Sequence, residues 1–178
     1  MNDERTLANL VLAPYIIRAS ALIGKARRVG GNQFRHSFAT LGILLDYKYF
    51  DNSILLKASL LHDLIEEIPE TDIDQLRHLD EEGDAVVDLV LEVTKSPDET
   101  KAEYLKRILD HGSVNAKILK SADRISNLTD LNSDSTSEDG IVRYLDQTEE
   151  FVVPMAREVN PDMVKELEDL IKRRRAQL

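Results

Sequence analysis

The stretch Ser59-Leu60-Leu61-His62-Asp63-Leu64-Ile65-Glu66-Glu67 sets a histidine and three carboxylates into an otherwise apolar, helix-forming run. Burying ionised groups among Leu60, Leu61, Leu64 and Ile65 is costly unless a counter-charge or a metal compensates. Adjacent side chains on a helix diverge by about 100°, so His62 and Asp63 together grip one ion only from a helix edge, with further ligands arriving from other helices. His36, near the start of another predicted helix, and Asp123, in a helix with Ile118, Ala122 and Ile125 on its apolar side, are the candidates. Two imidazoles and two carboxylates form a mixed nitrogen and oxygen set suited to Mn²⁺, Fe²⁺ or Zn²⁺, with room left for water. The chain has no Cys, which excludes thiolate metal sites, thiolate catalysis and disulfides.

Glu66 and Glu67 fall one helical turn beyond His62 and Asp63, on or beside the same face. A carboxylate there can orient a water, take its proton or protonate a leaving oxygen. Glu67, close to Pro69 and a helix end, is equally placed to be solvated. Lys120, Asp123 and Asn127 share one helix face, from which Asn127 can present its amide to a substrate. His78 reads as a surface residue, and His111 as a helix-end residue favoured by the helix dipole.

The elements that must position these groups are helical almost throughout, with no alternating strand and no internal repeat, so the fold class is all-α and residues 1–178 are expected to form a single domain. A first helix is expected from Leu7 to Arg28, ending at Val29-Gly30-Gly31-Asn32, and a second from Gln33 or Phe34. A third is expected to run from Ser53 through the histidine to Glu67, with Pro69 as its stop. A short helix from Thr71 and another from Asp80 to Val93 follow. Ser96-Pro97-Asp98-Glu99 predicts a capping box opening a helix to His111, and Gly112 stops it. Val114 to Leu131 is next, then a polar loop from Asn132 to Gly140, a long helix to Val159, and a last one capped by Asn160-Pro161.

With 178 residues, 42% hydrophobic and 31% charged, the composition is that of a globular protein of ordinary domain size. A net charge of −10 argues against nucleic acid or anionic membrane as partner. The start Met-Asn-Asp-Glu-Arg lacks a basic signal-peptide region, and no apolar run reaches the ~20 residues of a membrane span, so a cytoplasmic location is expected. Between Glu4 and Asp46 there is no acidic residue, while Arg5, Arg18, Lys25, Arg27, Arg28 and Arg35 all fall there. An acidic chain with one basic segment suits a small polyanionic ligand.

The arrangement of His36, His62-Asp63 and Asp123 resembles the metal site of the HD-domain phosphohydrolases. "LLHDLIEEIPET" (Leu60 to Thr71) is similar to the His-Asp-x-x-Glu-Asp-Thr-x-x-Thr segment of the RelA/SpoT-type alarmone hydrolases, and "LKSADRISNLTDL" (Leu119 to Leu131) to their Lys-x-Ala-Asp-Arg-x-x-Asn segment. "RRVGGNQFRH" (Arg27 to His36) keeps the paired basic residues and the spacing to the first ligand histidine, and "LVLEVTKS" (Leu89 to Ser96) resembles a stretch between the motifs. The resemblance implies a single HD-type helical domain, one Mn²⁺, and hydrolysis of the 3′-pyrophosphate of guanosine tetra- or pentaphosphate to GDP or GTP and pyrophosphate. It implies His36, His62, Asp63 and Asp123 as ligands, Glu66 and Glu67 as the residues that place and activate water, Arg27 and Arg28 as phosphate holders, and Asn127 as a nucleoside contact. The chain leaves no room for a synthetase half, which implies a stand-alone small hydrolase.

Four positions depart from that pattern. Glu67 stands where the shorter Asp is usual, Ile68 for a Thr, Gln33 for an aromatic, and Ser126 for His or Tyr. They bear on substrate choice, leaving two further readings: an HD phosphohydrolase acting on another nucleotide or on NADPH, and a non-catalytic metal-binding regulatory protein.

Overall fold

The computed structural model describes residues 6–7, 9–131 and 137–178. The expected N-terminal start and the expected loop positions 132–136 lie outside the described residues. The fold is all-α, and the described residues contain no strand, only an isolated antiparallel bridge between Ala26 and Asn32. The chain divides into two compact units, one of residues 1–26 with 32–94, the other of 27–31 with 95–178. No described helix is long and apolar enough to cross a membrane.

The first unit opens with α1 (Ala13–Ala19), which tightens into a 3₁₀ turn, Ser20–Gly24. The continuous helix expected from Leu7 to Arg28 is therefore broken. Pro14 is tolerated in the first turn of α1, where its missing N–H has no helical partner to satisfy, but not in a helix interior. α2 (Gln33–Asp46) is capped by Asn32, whose side chain accepts from the Arg35 N–H at 2.9 Å, and α3 (Ser53–Leu61) by Asn52, accepting from Leu55 N–H at 3.1 Å.

The helix expected over 53–67 also divides. α3 ends at Leu61, residues 62–63 form a turn, and α4 (Leu64–Glu67) follows. The cause is local competition for the last carbonyls of α3: the Ser59 hydroxyl bonds the Leu56 carbonyl at 2.7 Å and the His62 ring takes the Ser59 carbonyl at 2.7 Å. α5 (Ile73–Arg77), capped by Asp72, and α6 (Gly83–Val93) complete the unit. α3 packs against α1, α2 and α6, burying Leu55, Leu56, Leu60 and Leu61.

In the second unit α7 (Lys101–His111) begins four residues later than expected. Thr100 and Glu103 close a reciprocal capping box, while the Glu99 carboxylate is drawn to Ser96 N–H at 3.0 Å and to Arg107 at 2.6 Å. α8 (Val114–Asp130) is capped by Ser113 and packs against α7 and the two last helices. α9 (Glu138–Gln147), capped by Ser137, passes through a π turn, Thr148–Val152, into α10 (Val153–Val159). That π turn interrupts the expected long helix, because Pro154 offers no N–H to the preceding turn. α11 (Pro161–Arg175), capped by Asn160, ends in Lys172, Arg173, Arg174 and Arg175, cations suited to the negative end of its dipole.

A polar network ties the first unit together. The buried Lys57 ammonium donates to Asp80 at 2.7 Å and Glu82 at 2.6 Å, the Tyr15 hydroxyl donates to Asp80 at 2.8 Å, and the Ser53 hydroxyl to Glu82 at 2.6 Å. Burial works against the charge on Lys57, yet the bonds to Asp80 and Glu82 outweigh it and raise its pKa. Burial likewise pushes Asp80 up, but the Lys57 and Tyr15 bonds win and hold it low; Lys57 first, then Ser53, hold Glu82 low. The carboxylates therefore stabilise the fold fully above their unfolded pKa values of about 4, and that contribution is lost as pH falls through the lower folded values. The Lys57 contribution is full below about pH 10 and is lost as pH rises through its raised folded value. Lys57→Met should lower the unfolding free energy by about 1–3 kcal/mol, since it strands two partly buried carboxylates, and should flatten both the acid and the alkaline limb of a stability-versus-pH curve followed by urea unfolding.

Candidate active site

In the first unit, α2 carries His36 one turn in from its Asn32 cap, and the break after α3 carries His62 and Asp63. Both histidines are buried, at 2% and 4% exposure. Their Nε2 atoms face each other at 3.3 Å, and Asp63 Oδ2 lies 3.7 Å from His36 Nε2 and 3.5 Å from His62 Nε2. The turn at 62–63 lets neighbours in sequence address one point, which a continuous helix would not.

The Ser59 carbonyl fixes the chemistry of His62. A carbonyl only accepts, so Nδ1 carries the proton and Nε2 presents a lone pair toward His36 and Asp63. Such a backbone acceptor behind an imidazole is the usual means of orienting a metal-ligating histidine. Ligand atoms each ~2.1 Å from one ion lie about 3 to 3.5 Å apart, so the nitrogens and the carboxylate oxygen fit a shared divalent cation.

α4 places the two glutamates differently. Glu66 is exposed, whereas Glu67 is partly buried and accepts from the Gln33 side-chain amide at 2.9 Å.

In the second unit, α8 carries a chain of paired charges. Buried Asp123 accepts from Lys120 at 2.5 Å and from the Asn127 amide at 2.5 Å. Burial alone would lower the Lys120 pKa, but the Asp123 carboxylate outweighs it and raises it. Arg27, held in the loop 27–31 where Gly30 and Gly31 take φ values of 88° and 70°, donates to Asn127 Oδ1 at 2.8 Å and Asp130 at 2.7 Å. Both ends of the Asn127 amide are thus engaged, and Arg27 retains further N–H donors. Arg28 borders a cavity of about 270 Å³ with Arg143, Tyr144 and Gln147.

Behind that cavity, Arg124 is 1% exposed, stacks 4.1 Å from the Tyr144 ring centroid and donates to the Thr148 hydroxyl at 2.7 Å. Burial pushes the Tyr144 phenol up. Sequence reasoning missed Ser59, Tyr144 and the Gln33 to Glu67 bond. Only spatial neighbours reveal them, although an Arg beside a candidate ligand Asp was a signal for Arg124.

The structure brings His36, His62 and Asp63 together in one unit, and Arg27, Lys120, Asp123 and Asn127 in the other. His78 is a surface residue, its ring bonded to the Asp74 carbonyl at 2.6 Å, and His111 lies in the last turn of α7.

No family model matches the chain. Among solved structures it is similar in fold to a metazoan ortholog of SpoT described as hydrolyzing ppGpp and playing a role in starvation responses. The likeness covers 92% of this chain and 94% of that one, with a TM-score of 0.79 and 23% identity. The all-α fold is thus shared with that protein.

Mn²⁺ supplied at a hundredfold excess over its Kd should raise the unfolding free energy by about 2.7 kcal/mol. His36→Ala and His62→Ala should each abolish that shift in a thermal melt. An unchanged shift in either variant would show that the ion binds elsewhere.

Proposed function

We propose that the chain is a metal-dependent hydrolase that removes the 3′-pyrophosphate of guanosine tetra- or pentaphosphate, giving GDP or GTP and pyrophosphate, with residues 1–178 acting as one HD-type domain in the cytoplasm. The observation that carries this reading is the convergence of His36 Nε2, His62 Nε2 and Asp63 Oδ2 on one point, with carboxylates one turn away. The motif resemblance and the fold shared with a protein described as hydrolyzing ppGpp support it.

His36, His62, Asp63 and Asp123 hold Mn²⁺ in this reading; Asp123 is assigned from the sequence pattern. A bound divalent ion supplies positive charge at the phosphoryl oxygens. Glu66 and Glu67 orient the attacking water and accept its proton. The water oxygen bonds to the phosphorus attached to the ribose 3′-oxygen, that phosphorus–oxygen bond breaks, a proton goes to the 3′-oxygen, and pyrophosphate departs intact. Arg28, beside its cavity, and the remaining donors of Arg27 hold phosphates through charge-assisted bonds. Asn127 contacts the nucleoside, for which it must exchange one of its present partners. The ligand is a small nucleotide, and neither nucleic acid nor membrane is a partner.

Purified protein with Mn²⁺ should release GDP and pyrophosphate in equal amounts from guanosine tetraphosphate, resolved by chromatography beside deoxynucleoside triphosphates and NADPH. Turnover confined to the other nucleotides would sink the assigned substrate, and bound metal with no turnover at all would favour a regulatory protein. Glu66→Gln should lower kcat by about 10²–10⁴ while Mn²⁺ affinity by calorimetry stays unchanged. Loss of the metal in that variant would contradict a role on water.

A further inference from the structure

Gln33 is the first residue of α2 and Glu67 the last of α4, and their side chains meet: Gln33 Nε2 donates to Glu67 Oε1 at 2.9 Å. A carboxylate only accepts, so the amide nitrogen must face it, and the amide oxygen is turned the other way. That oxygen is buried and has no partner among the described residues. The unpaired acceptor is unfavourable in the free protein, and a flip that satisfied it would give up the bond to Glu67. The backbone allows little escape. Gln33 N–H is tied to the Lys25 carbonyl at 2.9 Å, its carbonyl accepts from the Ser37 hydroxyl at 3.1 Å, and Asn32 caps the helix directly before it.

Two of the positions that depart from the expected motif are therefore one bonded pair. We propose that Gln33 is a positioning residue for Glu67, its amide held to the carboxylate even at the cost of a buried, unsatisfied oxygen. The proposal rests on the hydrolase reading only in that Glu67 acts on water. The longer acid needs a second anchor that the shorter one would not, and the amide supplies it without a counter-charge. A misplacement of about an ångström at such a group can cost on the order of 10²-fold in rate.

The test is a double-mutant cycle of Gln33→Met, Glu67→Asp and the double variant, read in kcat, KM, Mn²⁺ affinity and thermal stability. Gln33→Met keeps the side-chain length while removing donor and acceptor. It should lower kcat about 10- to 100-fold, with KM and Mn²⁺ affinity unchanged. Glu67→Asp shortens the acid and breaks the same bond, so the double variant should be no slower than the slower single variant, within about twofold. If Gln33→Met folds poorly, Gln33→Glu, which cannot donate to Glu67 as a carboxylate, should slow the reaction in the same sense. Rate losses that simply multiply, or a Gln33→Met enzyme with wild-type kcat, would overturn the proposal. A wild-type chain inactive on every nucleotide would instead overturn the hydrolase reading, while coupling of the two positions in thermal stability would still report the bond.

Discussion

Two imidazole nitrogens facing each other at 3.3 Å, with a carboxylate oxygen at 3.5 to 3.7 Å, set the constraint on which the first unit depends. With Nδ1 of His62 committed to the Ser59 carbonyl, its Nε2 can only accept, and lone pairs held so close repel unless a proton or a cation lies between them. Such an arrangement persists only on elements that do not yield. α2 and α3 meet this need through side-chain caps at Asn32 and Asn52 and through an apolar interface in which Leu44, Leu55 and Leu56 are fully buried. The break at 62–63 serves the same end, because it turns two consecutive side chains toward one point.

The second unit meets buried charge differently. Along α8, Asp123 sits between Lys120 and Asn127, and Asn127 passes the chain on to Arg27 and Asp130. Removing charges from water is tolerated when each is paired and hydrogen-bonded, and here cation and carboxylate lie within one helical turn. Arg124 shows the limit of the scheme. Its guanidinium is stacked on Tyr144 and bonded to Thr148, yet its Nε has no partner among the described residues. The π turn beginning at Thr148 supplies that hydroxyl, so the irregular backbone and the buried cation support one another.

What could be read in advance was local. Asn160 caps its helix as short-range rules predict, and the His62-Asp63 pair with His36 was legible because its chemistry made no sense in an apolar run without compensation. Where two local signals competed, reading failed. Ser96-Glu99 and Thr100-Glu103 both satisfy the capping-box pattern, and only the pull of Arg107 on Glu99 decides between them. The break after Leu61 was hidden because both flanks are good helix formers and the deciding acceptor, the Ser59 carbonyl, has no signature in sequence. The network of Lys57 with Asp80 and Glu82 joins residues more than twenty positions apart, and a lysine on a helix ordinarily reads as surface.

The two glutamates of α4 illustrate why position in a motif and position in space need not agree. Glu66, in the better-matched place, is exposed on a single helical turn, whereas Glu67, the departure, is partly buried and bonded to the Gln33 amide. The nature of that partner matters. An arginine or lysine would hold the carboxylate as firmly but would neutralise it, as Lys120 does for Asp123 in the other unit. A neutral amide restricts the carboxylate's rotation while leaving its full charge on the atoms it presents to solvent. Orientation without neutralisation is what a group must have if it is to act on a water, and a surface-bound structural glutamate has no need of it.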